Sequence, residues 1–175
     1  MLGVFAAFTA CGSNDNPTYA AGPGPTTAPL TQTDITFMTS ATQYSNGEIA
    51  AGQLAVSKSQ NADVLAFARE MVANHTTEKQ ALAPIATSLG VALPTTIAPA
   101  QQPAAALLMV LTGTAFDKEY IDSEVQGHTA NLTQNYEPEV ADGSSPPVVG
   151  YAKTYEPQIQ MHLTMAQSIA QKYGF

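Results

Sequence analysis

The 175-residue chain has no tryptophan, one cysteine, and only six lysines and arginines against fourteen acids, a formal net charge of -8. Each scarcity excludes something. A lone Cys11 cannot close an internal disulfide or supply a zinc ribbon, which needs several thiolates. An acidic chain repels a phosphate backbone, so nucleic acid is not an expected partner. The Gly-x-Ser-x-Gly elbow, the phosphate loop and the dinucleotide fingerprint are all missing, which leaves no motif for a catalytic residue. No apolar run is long enough to span a bilayer. Hydrophobic residues nevertheless make up 45% of the chain, enough for one domain with a true core.

Cys11 is informative through its setting. Residues 2–10 are apolar and end Phe8-Thr9-Ala10 before the cysteine, after which Gly12-Ser13-Asn14-Asp15-Asn16 is abruptly polar. This resembles the signal segment of a bacterial lipoprotein, in which the cysteine carries the lipid. On that reading residues 1–11 are the signal segment and Cys11 anchors the protein to a membrane of the cell envelope. The other reading is an apolar N-terminus with an incidental thiol. Residues 12–30, rich in Gly, Pro and Thr, form a tether, because Gly22-Pro23-Gly24-Pro25 and Pro29 oppose helix and strand alike.

From residue 31 the pattern becomes helical. Phe37, Ala41, Tyr44, Glu48 and Ala55 recur at steps that sum to one helix face, predicting a first helix over about 33–59 with Thr31 or Thr33 as its cap. A second helix starts at Asn61 and carries Val64, Phe67, Met71, His75, Glu78 and Leu82 until Gly90 stops it, with a kink expected at Pro84. Prolines 94, 99 and 103 fill a long connection with room for a short helix near 104–111. The third helix, about 114–137, shows Asp117, Ile121, Glu124, His128 and Leu132 on one stripe and should end near Pro138. A fourth runs over 146–173 with Tyr155, Ile159, His162 and Ala166, and Pro157 is either a kink within it or its start.

Short links after the first and third helices make two antiparallel pairs, and the long link after the second returns the chain along the bundle. The expected fold is therefore all-α, a ferritin-like four-helix bundle over 31–175 with a crossover between helices 2 and 3.

All three histidines of the chain, His75, His128 and His162, fall near the midpoints of three different helices, and Glu48 near the midpoint of the remaining one. Midpoints share a depth whichever way each helix points. Glu78 and Glu124 lie three and four residues from a histidine, on the same face. Imidazoles and carboxylates are costly to bury unless paired or bound to a metal, so Glu48, His75, Glu78, Glu124, His128 and His162 form a candidate metal layer. Tyr44, Asp117, Tyr120 and Tyr155 are candidate outer partners. Imidazole with carboxylate suits one Zn, Cu or Fe ion, and the missing thiolates argue against Cu(I). The paired Glu-x-x-His motif of di-iron bundles is absent, which predicts a mononuclear site. A metal-free His/Glu hydrogen-bond network serving a structural or interaction module is the alternative, and a metal-dependent oxidoreductase is a third. Phe37, Met38, Met71, Met161 and Met165 are expected to fill the core.

Helix 1 with Asn46-Gly47-Glu48-Ile49, helix 2 with Phe67-Ala68-Arg69-Glu70-Met71 leading to Asn74-His75-Thr76, then Phe116-Asp117-Lys118-Glu119-Tyr120 and Pro157-Gln158-Ile159-Gln160-Met161-His162 resemble the bacterial domain of unknown function 4142. The resemblance covers about 33–171. It implies a ferritin-like bundle exported to the cell envelope, periplasmic or attached to the outer membrane, with Pro157 inside its helix. Glu48, His75, Asp117, Tyr120, His128 and His162 match the recurrent polar positions of that family. The resemblance implies no mechanism and names no protein partner.

Overall fold

A computed structural model describes residues 28–175; Cys11 and most of the tether lie outside the described residues. Helix α1 spans Gln32–Lys58, α2 Ala62–Ser88, a short α3 Gln102–Val110, α4 Gly113–Asn131, α5 Glu137–Asp142 and α6 Pro146–Tyr173. No strand occurs among the described residues. Local chemistry sets the boundaries. Thr31 caps α1 in a box with Asp34, and the Asn61 side chain accepts from the backbone N–H groups of Asp63 and Val64 at the start of α2. Gly90, with φ of 72°, ends α2 in a left-handed turn that a side chain would oppose. Helices α2 and α6 pass unbroken through Pro84 and Pro157.

One boundary differs from expectation. The third long helix does not stop at Pro138 but continues through a π-helical stretch, Leu132–Tyr136, into α5. The wider turn restarts the helix at Glu137, so Pro138 falls in a first turn, where its missing N–H costs nothing. Met38 and Met71 are fully buried, whereas Met161 is 45% exposed and does not fill the core.

α1 packs chiefly on α2 and α4 on α6, with α1 against α4 and α2 against α6 closing the square. Apolar side chains gather in two clusters. One joins Phe37 and Met38 of α1 to Leu82 and Ala86 of α2, Leu132, and Val148 of α6. The other joins Ala55, Val64, Phe67, Phe116, Ile121 and Ala166. Hence α1 and α6 run one way and α2 and α4 the other, and the 89–112 crossover travels the length of the bundle. This is the ferritin-like arrangement. Between the two apolar clusters each long helix contributes a polar residue at mid-length.

The crossover is fastened at several points. Asn46 donates to the carbonyls of Pro94 (3.2 Å) and Thr96 (3.0 Å). Lys58 Nζ caps the end of α3 by donating to the carbonyls of Leu108, Met109 and Leu111.

At one end of the bundle a buried Asp34 receives N–H bonds from Ser144 and Ser145 and faces a buried Glu139. Burial favours a neutral Asp34, but bonds from Thr31 and Ser145 outweigh it and hold this carboxylate ionised below its usual range. Burial, and then the Asp34 charge, push Glu139 up to about 8. The folded protein therefore keeps the Glu139 proton to about pH 8, while the unfolded chain releases it near 4.5. The stability gained is complete below the lower value and is lost as pH rises through the higher one. Relative to wild type, Glu139→Gln should therefore gain thermal stability as pH rises from 5 to 8, because only the wild type loses this contribution. A difference between the two midpoints that does not change with pH would contradict the raised Glu139.

Candidate metal centre

The mid-bundle layer is almost fully enclosed: His75, His162 and Glu78 are 0% exposed, His128 1%, Glu124 2% and Glu48 4%. The ring centroids of His75, His128 and His162 lie 5.1 to 5.6 Å apart. One ligand atom from each of the three histidines lies within 4.8 Å of the others, and the same holds for Glu48, Glu124 and His128. His128 belongs to both groups.

Each imidazole has one nitrogen engaged and one without a partner. His75 Nδ1 is 2.9 Å from Glu78 Oε2, and His128 Nδ1 is 2.9 Å from the carbonyl of Glu124 one turn earlier. His162 Nε2 lies 3.0 Å from the side-chain amide of Asn74. The partnerless atoms are His75 Nε2, His128 Nε2 and His162 Nδ1. Imidazoles that ligate metals are usually held this way, the second nitrogen donating to a carboxylate, carbonyl or amide that fixes the tautomer. The Asn74 amide fits this role once turned so that its oxygen accepts from Nε2–H, an orientation interchangeable with the other by shape.

Protonation suits ligation at two of the three rings. Burial drives His162 down to about 2, helped by His75 and His128, and burial lowers His128 despite the opposing Glu48 charge. Both shifts favour the neutral ring, which leaves a lone pair free. Burial alone would lower His75 too, but the Glu78 carboxylate reverses this and raises it.

The carboxylates divide unequally. Burial, and then the charge on Glu48, push Glu124 well above the usual range. Glu48 would also be raised by burial, but His128, the proton from Glu124, and Gln101 lower it. Gln101 Nε2 donates to Glu48 Oε1 at 2.8 Å. The two carboxyls are thus pushed apart, Glu124 toward the neutral acid and Glu48 toward the carboxylate.

The sequence-derived residues fall at different distances from this centre. Glu78 bonds to His75 and orients it, and is not one of the groups that converge. Tyr44 and Tyr120 are buried one turn before Glu48 and Glu124, and both hydroxyls are raised by burial and then by the adjacent glutamate. Asp117 precedes Glu124, and Tyr155 precedes His162, by seven residues, about 10 Å along an axis, so neither reaches the imidazoles. Tyr155 instead lies against Tyr151, with centroids 4.6 Å apart, and Tyr151 donates to the Glu78 carbonyl. Asn74 and Gln101 were not expected from the sequence. Asn74 is one residue off the stripe, where a neighbour of a buried histidine could have been considered; Gln101 comes from the crossover, which has no periodicity to place it.

The family described as Domain of unknown function (DUF4142) matches residues 20–169. The chain belongs to the DUF4142 family. The crystal structure of a DUF305 fragment from Deinococcus radiodurans resembles this DUF4142 domain with a TM-score of 0.73 at 12% identity, covering 82% of this chain and 99% of that one. At such identity the likeness concerns the fold alone. No curated protein matches the DUF4142 chain in sequence.

Proposed function

We propose that this DUF4142 domain binds one transition-metal ion through His75, His128 and His162, with Glu48 and Glu124 beside the remaining coordination position. The observation that carries this reading is the convergence of three buried imidazoles, each with one nitrogen oriented by a neighbour and the other without a partner. A tetrahedral ion with bonds of about 2.0–2.1 Å holds its nitrogens about 3.3 Å apart, so the rings need to close by no more than about 1.5 Å. Three imidazoles suit Zn, Cu(II) or Fe(II). His128 has a single free nitrogen, which supports one ion over two.

The metal-free network draws support from the His75–Glu78 pair and the carboxyl pair. It leaves three buried nitrogens unsatisfied, each costing about 1–3 kcal/mol, which favours the metal reading. A role in binding or envelope protection, with no rapid turnover, accords with a centre this enclosed. Oxygen uptake by metal-loaded protein beyond that of the free ion would move the reading to an oxidoreductase. Equilibrium dialysis of protein purified without a histidine tag tests the proposal: one Zn²⁺ per chain is expected, and no retained ion would reject it.

The proposal includes the cell envelope, with a lipid on Cys11 and the 12–30 tether leading to the bundle. No helix among the described residues is long and apolar enough to cross a membrane. In a bacterial host, labelled palmitate should enter the wild-type chain and be lost in Cys11→Ser; equal labelling would remove the anchor.

A further inference from the structure

A cavity of about 680 Å³ opens between α1, α3 and α4. Its volume is within the range of small-molecule sites, roughly 300–1,000 Å³, and far above a packing defect. The walls explain the space. Ala51 and Leu54 of α1 face Ala104, Ala105 and Leu108 of α3, so alanines stand where a bundle normally interleaves large side chains. The crossover helix cannot settle deeper, because Lys58 holds its last carbonyls and Gln101 is bonded to Glu48 just before its start.

The buried acids of the lining are Glu48 and Glu124, the half-buried Glu119 also lines it, and no lysine, arginine or histidine does. Glu124 is 2% exposed, and its Oε2 has no hydrogen-bond partner, with His128 Nδ1 3.4 Å away. Glycines bring the walls close to the carboxylates: a Cβ on Gly127 would stand 3.3 Å from Glu48 Oε1, and one on Gly47 would overlap Gln101. A chamber lined mainly by small apolar side chains, with Gln53, Ser57, Ser123 and Gln126 also in its wall and buried carboxyl groups among its lining, is complementary to a molecule with an apolar body and a cationic, proton-donating head.

We infer that the cavity between α1, α3 and α4 is a binding site for an organic ammonium compound with an alkyl or aromatic body, its head seated on Glu48 and Glu124. This site uses the carboxylate side of the layer and does not require an ion on the imidazoles. An alkyl carboxylate of equal size would meet acids with no counter-charge, so charge sign is the discriminating property.

The test is calorimetric titration of the full chain, treated with chelator so that the result is independent of metal, with n-decylammonium and with decanoate. Decylammonium should bind saturably at one per chain, and decanoate at least about tenfold more weakly. Ala105→Trp, which fills the chamber from α3, should abolish binding, and Glu48→Gln should weaken it by about tenfold. If Ala105→Trp fails to fold by circular dichroism, Leu54→Phe narrows the same chamber from α1 and should reduce binding. Equal binding of both amphiphiles, binding unchanged in the cavity-filling variants, or no saturable heat would each overturn the assignment.

Discussion

Zn²⁺ at a free concentration a hundredfold above its dissociation constant should stabilise the wild-type protein by about 2.7 kcal/mol, and His162→Leu should erase that gain entirely. For a domain of this size the gain is a rise in melting temperature of roughly 5–10 °C. The same substitution should have a different effect without metal. His162 is buried and neutral, its Nδ1 is unsatisfied, and its one polar contact is with Asn74. Replacing an unsatisfied polar ring with an apolar group of similar volume relieves that cost, so metal-free His162→Leu should be at least as stable as metal-free wild type. A structural network predicts the opposite pair of results: a less stable variant, and no metal response in either protein. Calorimetric melting of both proteins, with chelator and with Zn²⁺, distinguishes the two.

The largest loss of stability from a single polar substitution is expected far from the metal layer, at Asp34. Its Oδ2 accepts from the Thr31 N–H at 2.6 Å and the Thr31 hydroxyl at 2.5 Å, while Oδ1 accepts from the N–H groups of Ser144 (3.0 Å) and Ser145 (2.9 Å). One carboxylate thus closes the α1 capping box and ties the start of α1 to the start of α6. Asp34→Ala removes the reciprocal half of the capping box and leaves buried donors without an acceptor, and should cost about 3–5 kcal/mol. Asp63 in the first turn of α2 is a control. It pairs with Lys172 at the surface, with both side chains more than a third exposed, so Asp63→Ala should shift the midpoint far less than Asp34→Ala. Urea denaturation of the two variants provides the comparison, and similar midpoint shifts would contradict the role assigned to Asp34.

Periodicity carried the sequence reading as far as the helices and the depth of their polar residues, because both follow from spacing along one element. Thr31, Asn61 and Gly90 are boundary residues with local chemistry, and they act at the ends where they were expected. The end of the third long helix was misplaced because a π-turn adds a residue to the repeat, and Pro138 then looks like a stop when it is a start. The common depth of His75, His128 and His162 was legible; the ring atoms they present to one another were not, since these depend on rotamers set by Glu78, the Glu124 carbonyl and Asn74. Gln101 and the alanine-walled cavity were hidden for a related reason. Both arise from how the crossover lies on α1 and α4, and no repeat in residues 89–112 encodes that placement. Asp34 and Glu139 are 105 positions apart, and their proximity follows from the bundle topology.

The most direct test of the central claim is X-ray absorption at the metal edge of protein loaded with one equivalent of Zn²⁺. The account predicts about three imidazole nitrogens at about 2.0–2.1 Å, with outer-shell scattering from the rings, and one or two further oxygens from a carboxylate or water. A shell of oxygens without imidazole scattering, or a metal–metal vector from a second ion, would contradict it.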